Sequence, residues 1–166
     1  MENNINNMDI KDFRGVMGNF IAGVTVVTLP GDPPHGITVN SFTSVSLEPT
    51  LISICLDHNS EAYKRLKEGM NDTFCINILA ADQKWIGEYF ANMGEAEENP
   101  FEESITKVLP TGSLYFENSI AYVDCSLYDN VEEGDHTVYM GKVKDAKLLR
   151  SEAEVLTYFR GKWGSV

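Results

Sequence analysis

Small, neutral, hydrogen-bonding side chains line one face of the strand that the sequence predicts at residues 36–47, which read GITVNSFTSVSL. Because side chains alternate along a strand, every second residue shares a face. That face carries Thr38, Asn40, Phe42, Ser44 and Ser46. A solvated face would carry more Lys, Glu and Arg, and a core face would carry Val, Ile and Leu. The pattern suits a flat, polar, uncharged ligand such as an isoalloxazine ring; the alternative is an edge strand whose Ser- and Thr-rich face meets solvent.

A second polar group consists of Asp57, His58, Asn59 and Ser60, where a buried strand is predicted to end and a helix to begin. Helix N-termini present unpaired N–H groups and a partial positive charge, which suit a phosphate. His58, Asn59 and Ser60 would add side-chain donors to such a site. The alternative is an ordinary helix cap, which by itself accounts for Ser60.

His136 is a third candidate, because it follows the Gly134-Asp135 turn at the start of a predicted strand. Alternation places its side chain on the same face as Val138 and Met140. A histidine on a largely apolar face is either a core residue or a ligand-contacting group at the mouth of a barrel. The spacing favours the core interpretation and leaves the other one open.

Several common catalytic motifs are absent from the sequence. There is no G-x-G-x-x-G and no Walker motif, so neither a Rossmann nucleotide site nor a P-loop is predicted. The three histidines lack metal-ligand spacing, and no metal site is expected. Cys55, Cys75 and Cys125 lie far apart in apolar runs without a C-x-x-C pair, which indicates buried structural thiols.

The remaining pattern predicts a mainly β fold with short helices in a single domain of residues 1–166. Helices are expected at residues 8–20 with Asp9 as the cap, at 61–68 after Ser60, and after a cap at Asp82. Strands are expected at residues 23–29, 36–47, 50–57 and 73–79, with two long strands joined at EEGD. The many strands and the lack of βαβ alternation indicate an antiparallel barrel. Residues 91–112 are predicted to form a long, polar loop, which is uncommon without a function.

The composition argues against two classes of partner. The 166 residues are 43% hydrophobic and carry a net charge of -12, which argues against binding to nucleic acid or to anionic membranes. No apolar run approaches the ~20 residues that span a bilayer. The N-terminus MENNINNMDIKDF lacks the pattern of a signal peptide, so a cytoplasmic location is expected.

Together these segments resemble the flavin reductase family of two-component flavin monooxygenases. The matching segments follow the expected order: an N-terminal helix with GVTVVT, then GITVNSFTSVSLEP, LDHNSEAY and GDHTVYMGKV, with YFRGKW near the end. They cover roughly residues 10 to 163. The resemblance implies the FMN-binding split barrel, which is a Greek-key antiparallel fold, and a homodimer.

The resemblance also implies an activity, the reduction of FMN or FAD by hydride transfer from NADH or NADPH. The reduced flavin would be supplied to a separate monooxygenase. Alternatives within the same fold are a flavoredoxin-like electron carrier with tightly bound FMN and a non-catalytic flavin-binding protein.

Site residues are implied by position in the family motifs. Thr38, Asn40 and Ser41 would meet the isoalloxazine, and Ser46 would approach the ribityl or phosphate end. The group from Asp57 to Ser60, with His58 and Asn59, would form the phosphate side. His136 would lie near the flavin ring and the nicotinamide, and Tyr158 would close over the ring.

Overall fold

The computed structural model describes residues 8–93, 98–102 and 104–166. These residues form three α-helices, a 3-10 helix at Ala81–Gln83, and strands. The helices are α1 (Ile10–Met17), α2 (Glu61–Lys67) and α3 (Lys84–Phe90). The strands are β1 (Ala22–Gly23), β2 (Thr25–Leu29), β3 (His35–Val39), β4 (Thr43–Leu47), β5 (Thr50–Asp57), β6 (Thr73–Ile78), β7 (Thr106–Val108), β8 (Leu114–Phe116), β9 (Ala121–Glu133), β10 (His136–Leu148), β11 (Leu156–Phe159) and β12 (Lys162–Ser165).

Seven strands form the main antiparallel sheet, in the order β3-β2-β6-β9-β10-β5-β4. The long hairpin of β9 and β10 lies at its centre and turns at Gly134, whose φ of 61° suits a residue without a Cβ. A smaller sheet joins β1, β11 and β12, and β7 pairs with β8. The prediction of a mainly β, antiparallel barrel with short helices is confirmed.

The strand predicted at residues 36–47 is two strands, and the single-strand prediction is wrong. β3 and β4 lie at opposite edges of the main sheet, so the chain crosses between the edges at residues 40–42. At the crossing, Ser41 Oγ accepts a hydrogen bond from Cys55 N at 2.9 Å and donates one to Cys55 O at 3.1 Å. The side chain thereby replaces ladder hydrogen bonds with β5, and the regular alternation ends there.

Two apolar clusters make up most of the buried core. The first lies inside the barrel around Val27, Ile54 and Phe74, each with no exposed surface. The second joins β2, α3 and the C-terminal hairpin through buried side chains that include Ile86 and Leu156. Burial of side chains of this size stabilises a fold by roughly 1.5–3 kcal/mol each, so the second cluster holds α3 against the sheet.

The predicted caps of the first two helices are confirmed. Asp9 accepts a hydrogen bond from Lys11 N at 2.8 Å, and Ser60 accepts one from Tyr63 N at 3.2 Å. The predicted cap at Asp82 is wrong, because the chain enters α3 through the 3-10 turn and the Asp82 carboxylate pairs with the Arg150 guanidinium at 2.9 Å.

The prediction of an unstructured loop at residues 91–112 is also wrong in part. The pairing of β7 with β8 places a strand at Thr106–Val108 within it. Much of the acidic run in this loop, residues 94–97 and 103, lies outside the described residues. Among the described helices, none has the length and apolar character needed to cross a bilayer.

The buried-thiol interpretation holds for two of the three cysteines. Cys75 and Cys125 have no exposed surface, and burial raises the pKa of both thiols. Cys55 is half-buried.

Candidate functional site

β3 separates two clefts on the surface of the molecule. The larger one, with a volume of ≈ 510 Å³, lies between the first half of β3, the start of α2 and the end of α3, and we call it the polar cleft. Its lining is Pro33, Pro34, His35, Gly36, Ile37, Asn59, Ser60, Glu61, Tyr89, Phe90, Asn92, Asn99 and Phe101. The smaller one, of ≈ 210 Å³, adjoins the second half of β3, and we call it the aromatic cleft. Its lining is Val24, Thr38, Val39, Asn40, Ala91, Met93, Tyr158 and Trp163.

The close approach of α3 to β3 shapes both clefts. Thr38 Oγ1 donates a hydrogen bond to the Gly87 carbonyl oxygen at 2.7 Å. The Phe90 ring covers Gly36, and Trp163 lies beside Gly87, where an added Cβ would be 3.2 Å from its ring. Gly36 in β3 and Gly87 in α3 therefore allow the helix and the strand to pack at short range.

The aromatic cleft brings together three of the residues that the sequence predicts to bind the isoalloxazine ring: Thr38, Asn40 and Tyr158. Tyr158 of β11 and Trp163 of β12 are register partners, with ring centroids 5.2 Å apart and planes at 71°. Because the Thr38 hydroxyl hydrogen is directed to Gly87, its oxygen lone pairs are left to accept a hydrogen bond. Among the described residues of its lining, none is charged. A flat, uncharged, conjugated ring fits such a cleft.

Ser41 and Ser46 line neither cleft. The Ser41 hydroxyl is engaged with the Cys55 backbone, so this residue can offer a ligand its backbone rather than its side chain. Ser46 Oγ accepts a hydrogen bond from Glu48 N at 3.2 Å in the β4–β5 turn. Their predicted contacts with flavin stay predictions.

The junction between β5 and α2 is held by its own hydrogen bonds. Asp57 Oδ1 accepts from Asn59 N at 2.7 Å and from Asn59 Nδ2 at 2.9 Å, and the hydrogen bond from the Asn59 backbone lowers the pKa of this carboxyl. Ser60 Oγ donates to the Asp57 carbonyl at 2.7 Å while it caps α2. His58 Nε2 lies 3.0 Å from Thr137 Oγ1, and its ring stacks on Tyr63 at 4.4 Å. Of the four residues from Asp57 to Ser60, Asn59 and Ser60 line the polar cleft. The predicted binding of the flavin phosphate by these four residues stays a prediction.

His136 lies on the outer side of the barrel, so the core interpretation is wrong. Its side chain is 46% exposed, and Nδ1 is 2.7 Å from Asp135 Oδ1. The hydrogen bond with His136 lowers the pKa of Asp135. In the sheet register His136 lies opposite Asp57, which places it beside the β5–α2 junction although it lines neither cleft.

Several lining residues were not found by the sequence reasoning, among them His35, Glu61, Tyr89 and Trp163. His35 follows the Pro33-Pro34 pair, one residue before the predicted strand, and β3 begins at this residue. Burial, together with the nearby Arg65, lowers the pKa of His35. The other residues come from elements far apart in the chain, and no local spacing links them.

Comparison with known proteins shows the family. The model of the flavin reductase like domain matches residues 17–166. A NADH-dependent FAD reductase of Streptomyces globisporus is 36% identical over 82% of this chain and 76% of its own length. The reductase subunit HsaB of a flavin-dependent monooxygenase of Rhodococcus jostii is 32% identical, over 96% of this chain and 79% of its own length.

A solved structure shows the same fold. The flavin reductase PheA2 in its native state superposes with a TM-score of 0.86 at 31% identity, covering 96% of this chain and 99% of that one. The family match spans nearly the whole chain and includes every residue that lines the two clefts. The chain therefore belongs to the flavin reductase like domain family.

Proposed function

We propose that the protein is an NAD(P)H:flavin oxidoreductase that reduces FMN or FAD by hydride transfer and supplies reduced flavin to a partner monooxygenase. The observation that carries this proposal is the meeting of Thr38, Asn40 and Tyr158 in one uncharged cleft of a chain in this family. The relative named as a FAD reductase supports the proposed flavin reduction. The relative named as a monooxygenase reductase subunit supports the proposed supply of reduced flavin to a partner.

The residues of the aromatic cleft bind and orient the ring. Thr38 Oγ1 would accept a hydrogen bond from a ring N–H, because its own hydrogen is donated to Gly87, and the exposed Asn40 amide offers both a donor and an acceptor. Tyr158 and Trp163 would cover the ring and exclude water. A bound flavin supplies two-electron redox chemistry, and the protein contributes alignment with the nicotinamide.

The site is suited to a flavin that exchanges with solution. The aromatic cleft adjoins the exposed Asn40, and the polar side chains among its described lining residues are neutral, so none of them forms an ion pair with the ligand. Exchange is what a partner monooxygenase requires, because the reduced flavin must leave the protein that made it.

The exposed apolar face of α1 supports a homodimer. None of its residues is buried, and Ile10, Phe13 and Val16 are 70%, 52% and 66% exposed. Apolar surface of this kind is stabilised when another chain covers it. Light scattering is expected to give twice the chain mass of 18.5 kDa, and Phe13→Glu is expected to shift the protein towards the monomer. A monomeric wild type with intact activity would overturn the dimer.

The activity is tested by NADH and NADPH oxidation with added FMN, FAD or riboflavin. We expect oxidation that depends on added flavin, together with loss of yellow colour on dialysis. Yellow colour that survives dialysis, with electrons passed to a protein acceptor, would favour the electron-carrier alternative. Yellow colour that survives dialysis, without oxidation of NADH or NADPH, would favour a non-catalytic flavin-binding protein. No oxidation above the flavin-only control, in any combination, would overturn the enzymatic proposal.

A further inference from the structure

A methionine thioether forms part of the wall of the aromatic cleft. Met93 follows α3 and lines this cleft together with Tyr158 and Trp163. The residue is 45% exposed, so small solutes reach its side chain. Among the methionines that the structure describes, no other lines either cleft. Met93 therefore combines access from solution with a place at the proposed flavin site.

The end of α3 holds Met93 in this position. Asn92 has a φ of 53°, a left-handed conformation that turns the chain out of the helix. The Met93 N–H donates back to the Glu88 carbonyl oxygen at 2.9 Å. The helix itself is bound to β3 by the hydrogen bond of 2.7 Å between Thr38 Oγ1 and the Gly87 carbonyl oxygen. The backbone of Met93 thus stays beside the cleft as long as the last turn of α3 is formed.

The proposed function supplies an oxidant of thioethers. Reduced flavin that meets dioxygen instead of a partner monooxygenase gives up two electrons and two protons, which convert dioxygen to hydrogen peroxide. One oxygen atom of the peroxide then forms a bond to the methionine sulfur, which is oxidised to the sulfoxide. The other oxygen atom leaves as water, so dioxygen is the oxidant of the whole sequence.

The thiols compete only weakly for peroxide. The thiolate is the form of cysteine that reacts. Burial raises the pKa of Cys55, Cys75 and Cys125, so each is held as the thiol at neutral pH. Cys75 and Cys125 also have no exposed surface. Of the sulfur groups in the described residues, the exposed thioethers are therefore the most open to peroxide.

We propose that Met93 is an oxidation site whose sulfoxide weakens the binding of flavin. The proposal rests on the proposed function, because it needs flavin in the aromatic cleft and a source of peroxide. The sulfoxide places a polar oxygen in an uncharged wall. A polar group covered by the flavin ring loses its contact with water, which disfavours binding. A reductase that works without its partner thereby loses affinity for flavin, and reduction of the sulfoxide restores it.

The test measures the affinity for FMN, by quenching of its fluorescence, before and after treatment of the flavin-free protein with hydrogen peroxide. Catalase removes the peroxide before the titration, and peptide mass spectrometry gives the fraction of sulfoxide at each methionine. Met93→Leu removes the sulfur and keeps an apolar side chain of similar volume. Met70→Leu is the matched control, because Met70 is 63% exposed and lines neither cleft. The readout is the ratio of treated to untreated affinity within each variant, so an effect of the substitution itself cancels.

We expect oxidation to weaken FMN binding by roughly three- to tenfold in the wild type and in Met70→Leu, and to leave the ratio in Met93→Leu at one. A methionine sulfoxide reductase should restore the wild type. Met93→Gln, which introduces a polar group without peroxide, should bind FMN more weakly than Met93→Leu. The proposal is overturned by an equal loss in the wild type and Met93→Leu, or by no loss once Met93 is oxidised. It is also overturned if Met93 stays reduced while Met70 is converted.

Saturating FMN during the peroxide treatment gives a second readout. This treatment is done in the dark, because illuminated flavin oxidises methionine by itself. Bound flavin that covers Met93 should slow its oxidation several-fold and leave the rate at Met70 unchanged. Equal rates at Met93 with and without FMN would place the flavin elsewhere and contradict the proposal.

The two proposals fail in distinguishable ways. A protein that oxidises NADH with added flavin, and keeps its FMN affinity after Met93 is oxidised, retains its proposed function and loses this inference. A protein that oxidises neither nicotinamide nucleotide, but binds FMN with an affinity that oxidation of Met93 lowers, loses the proposed function and retains the oxidation site.

Discussion

The Phe90 ring lies directly against the backbone of Gly36, so closely that a Cβ atom added at residue 36 would be 2.5 Å from Phe90 Cε1. This contact fixes the end of α3 to β3 at the point where the two clefts meet. Phe90 lines the polar cleft, and the next residue, Ala91, lines the aromatic cleft. The shape of both clefts thus depends on the absence of a side chain at one position.

Gly36→Ala is expected to displace Phe90 and loosen α3 from the sheet. The Phe90 ring is also held by Phe101 and Phe116, with centroids at 5.1 Å and 6.1 Å, so it cannot move without disturbing them. Overpacking of this kind costs about 1–3 kcal/mol. Urea unfolding should show that loss, and fluorescence titration should show weaker flavin binding.

The control for Gly36→Ala is Gly23→Ala in β1. An added Cβ at residue 23 would meet nothing within 4 Å, so the same chemical change should leave stability and flavin binding almost unaltered. Equal effects at the two positions would show that the Phe90 contact does not shape the site.

Ser60→Ala tests the predicted phosphate end. Loss of the cap on α2 should lower the free energy of unfolding by about 1 kcal/mol. If the junction also faces a phosphate, FMN affinity should fall more than riboflavin affinity, because riboflavin lacks that charge. Asp9→Ala removes the corresponding cap from α1, away from both clefts, and separates the effect of capping from that of binding. If FMN and riboflavin lose affinity equally, Ser60 caps α2 and does not contact the phosphate.

His136→Ala should leave the fold intact, because the imidazole is nearly half exposed and its hydrogen bond joins it to the adjacent Asp135. The family motif predicts a role beside the nicotinamide, so kcat/KM for the nicotinamide nucleotide should fall roughly 10- to 100-fold, or about 1.4–2.7 kcal/mol. Stopped-flow reduction of bound flavin measures the change, and Asp135→Asn tests the neighbour that holds the ring. A folded variant with wild-type reduction rate and nucleotide affinity would remove His136 from the site.

Asp124 makes stability depend on pH. The side chain is 1% exposed, and Thr111 Oγ1 donates to both carboxylate oxygens at 2.8 Å. Burial raises its pKa above 3.8, so the folded protein holds this proton more tightly than the unfolded chain does. The resulting stabilisation is complete below the unfolded pKa and is lost as the pH rises through the folded pKa.

Asp124→Asn should therefore flatten the pH dependence while keeping an oxygen that accepts from Thr111. We expect the wild type to lose stability relative to this variant as the pH rises from about 4 towards neutrality, measured by urea unfolding across the range. Asp129→Asn, an exposed change in the same strand, should not alter the slope. Parallel curves for wild type and Asp124→Asn would contradict the assignment.

The sequence by itself determined the parts of the fold that rest on neighbouring residues. Ser60 caps α2 because its hydroxyl reaches a backbone N–H three residues away, and Gly134 permits the turn between β9 and β10. The alternation that indicates strands and the family motifs also lie within short stretches of sequence, so they too can be identified without the tertiary structure. Thr38 and Asn40 could be selected as ligand contacts because neutral, hydrogen-bonding side chains on one face of a predicted strand indicate the binding of a polar, uncharged ligand.

Only the tertiary structure decided where the strand breaks and what lines the clefts. Whether residues 36–47 form one strand or two depends on Cys55, which binds Ser41 from another strand. His35, Glu61 and Trp163 join the site because α2, α3 and the C-terminal hairpin pack around β3. These contacts link residues far apart in the chain, so they stabilise the protein only after the sheet has formed. No spacing within a short stretch of sequence predicts them.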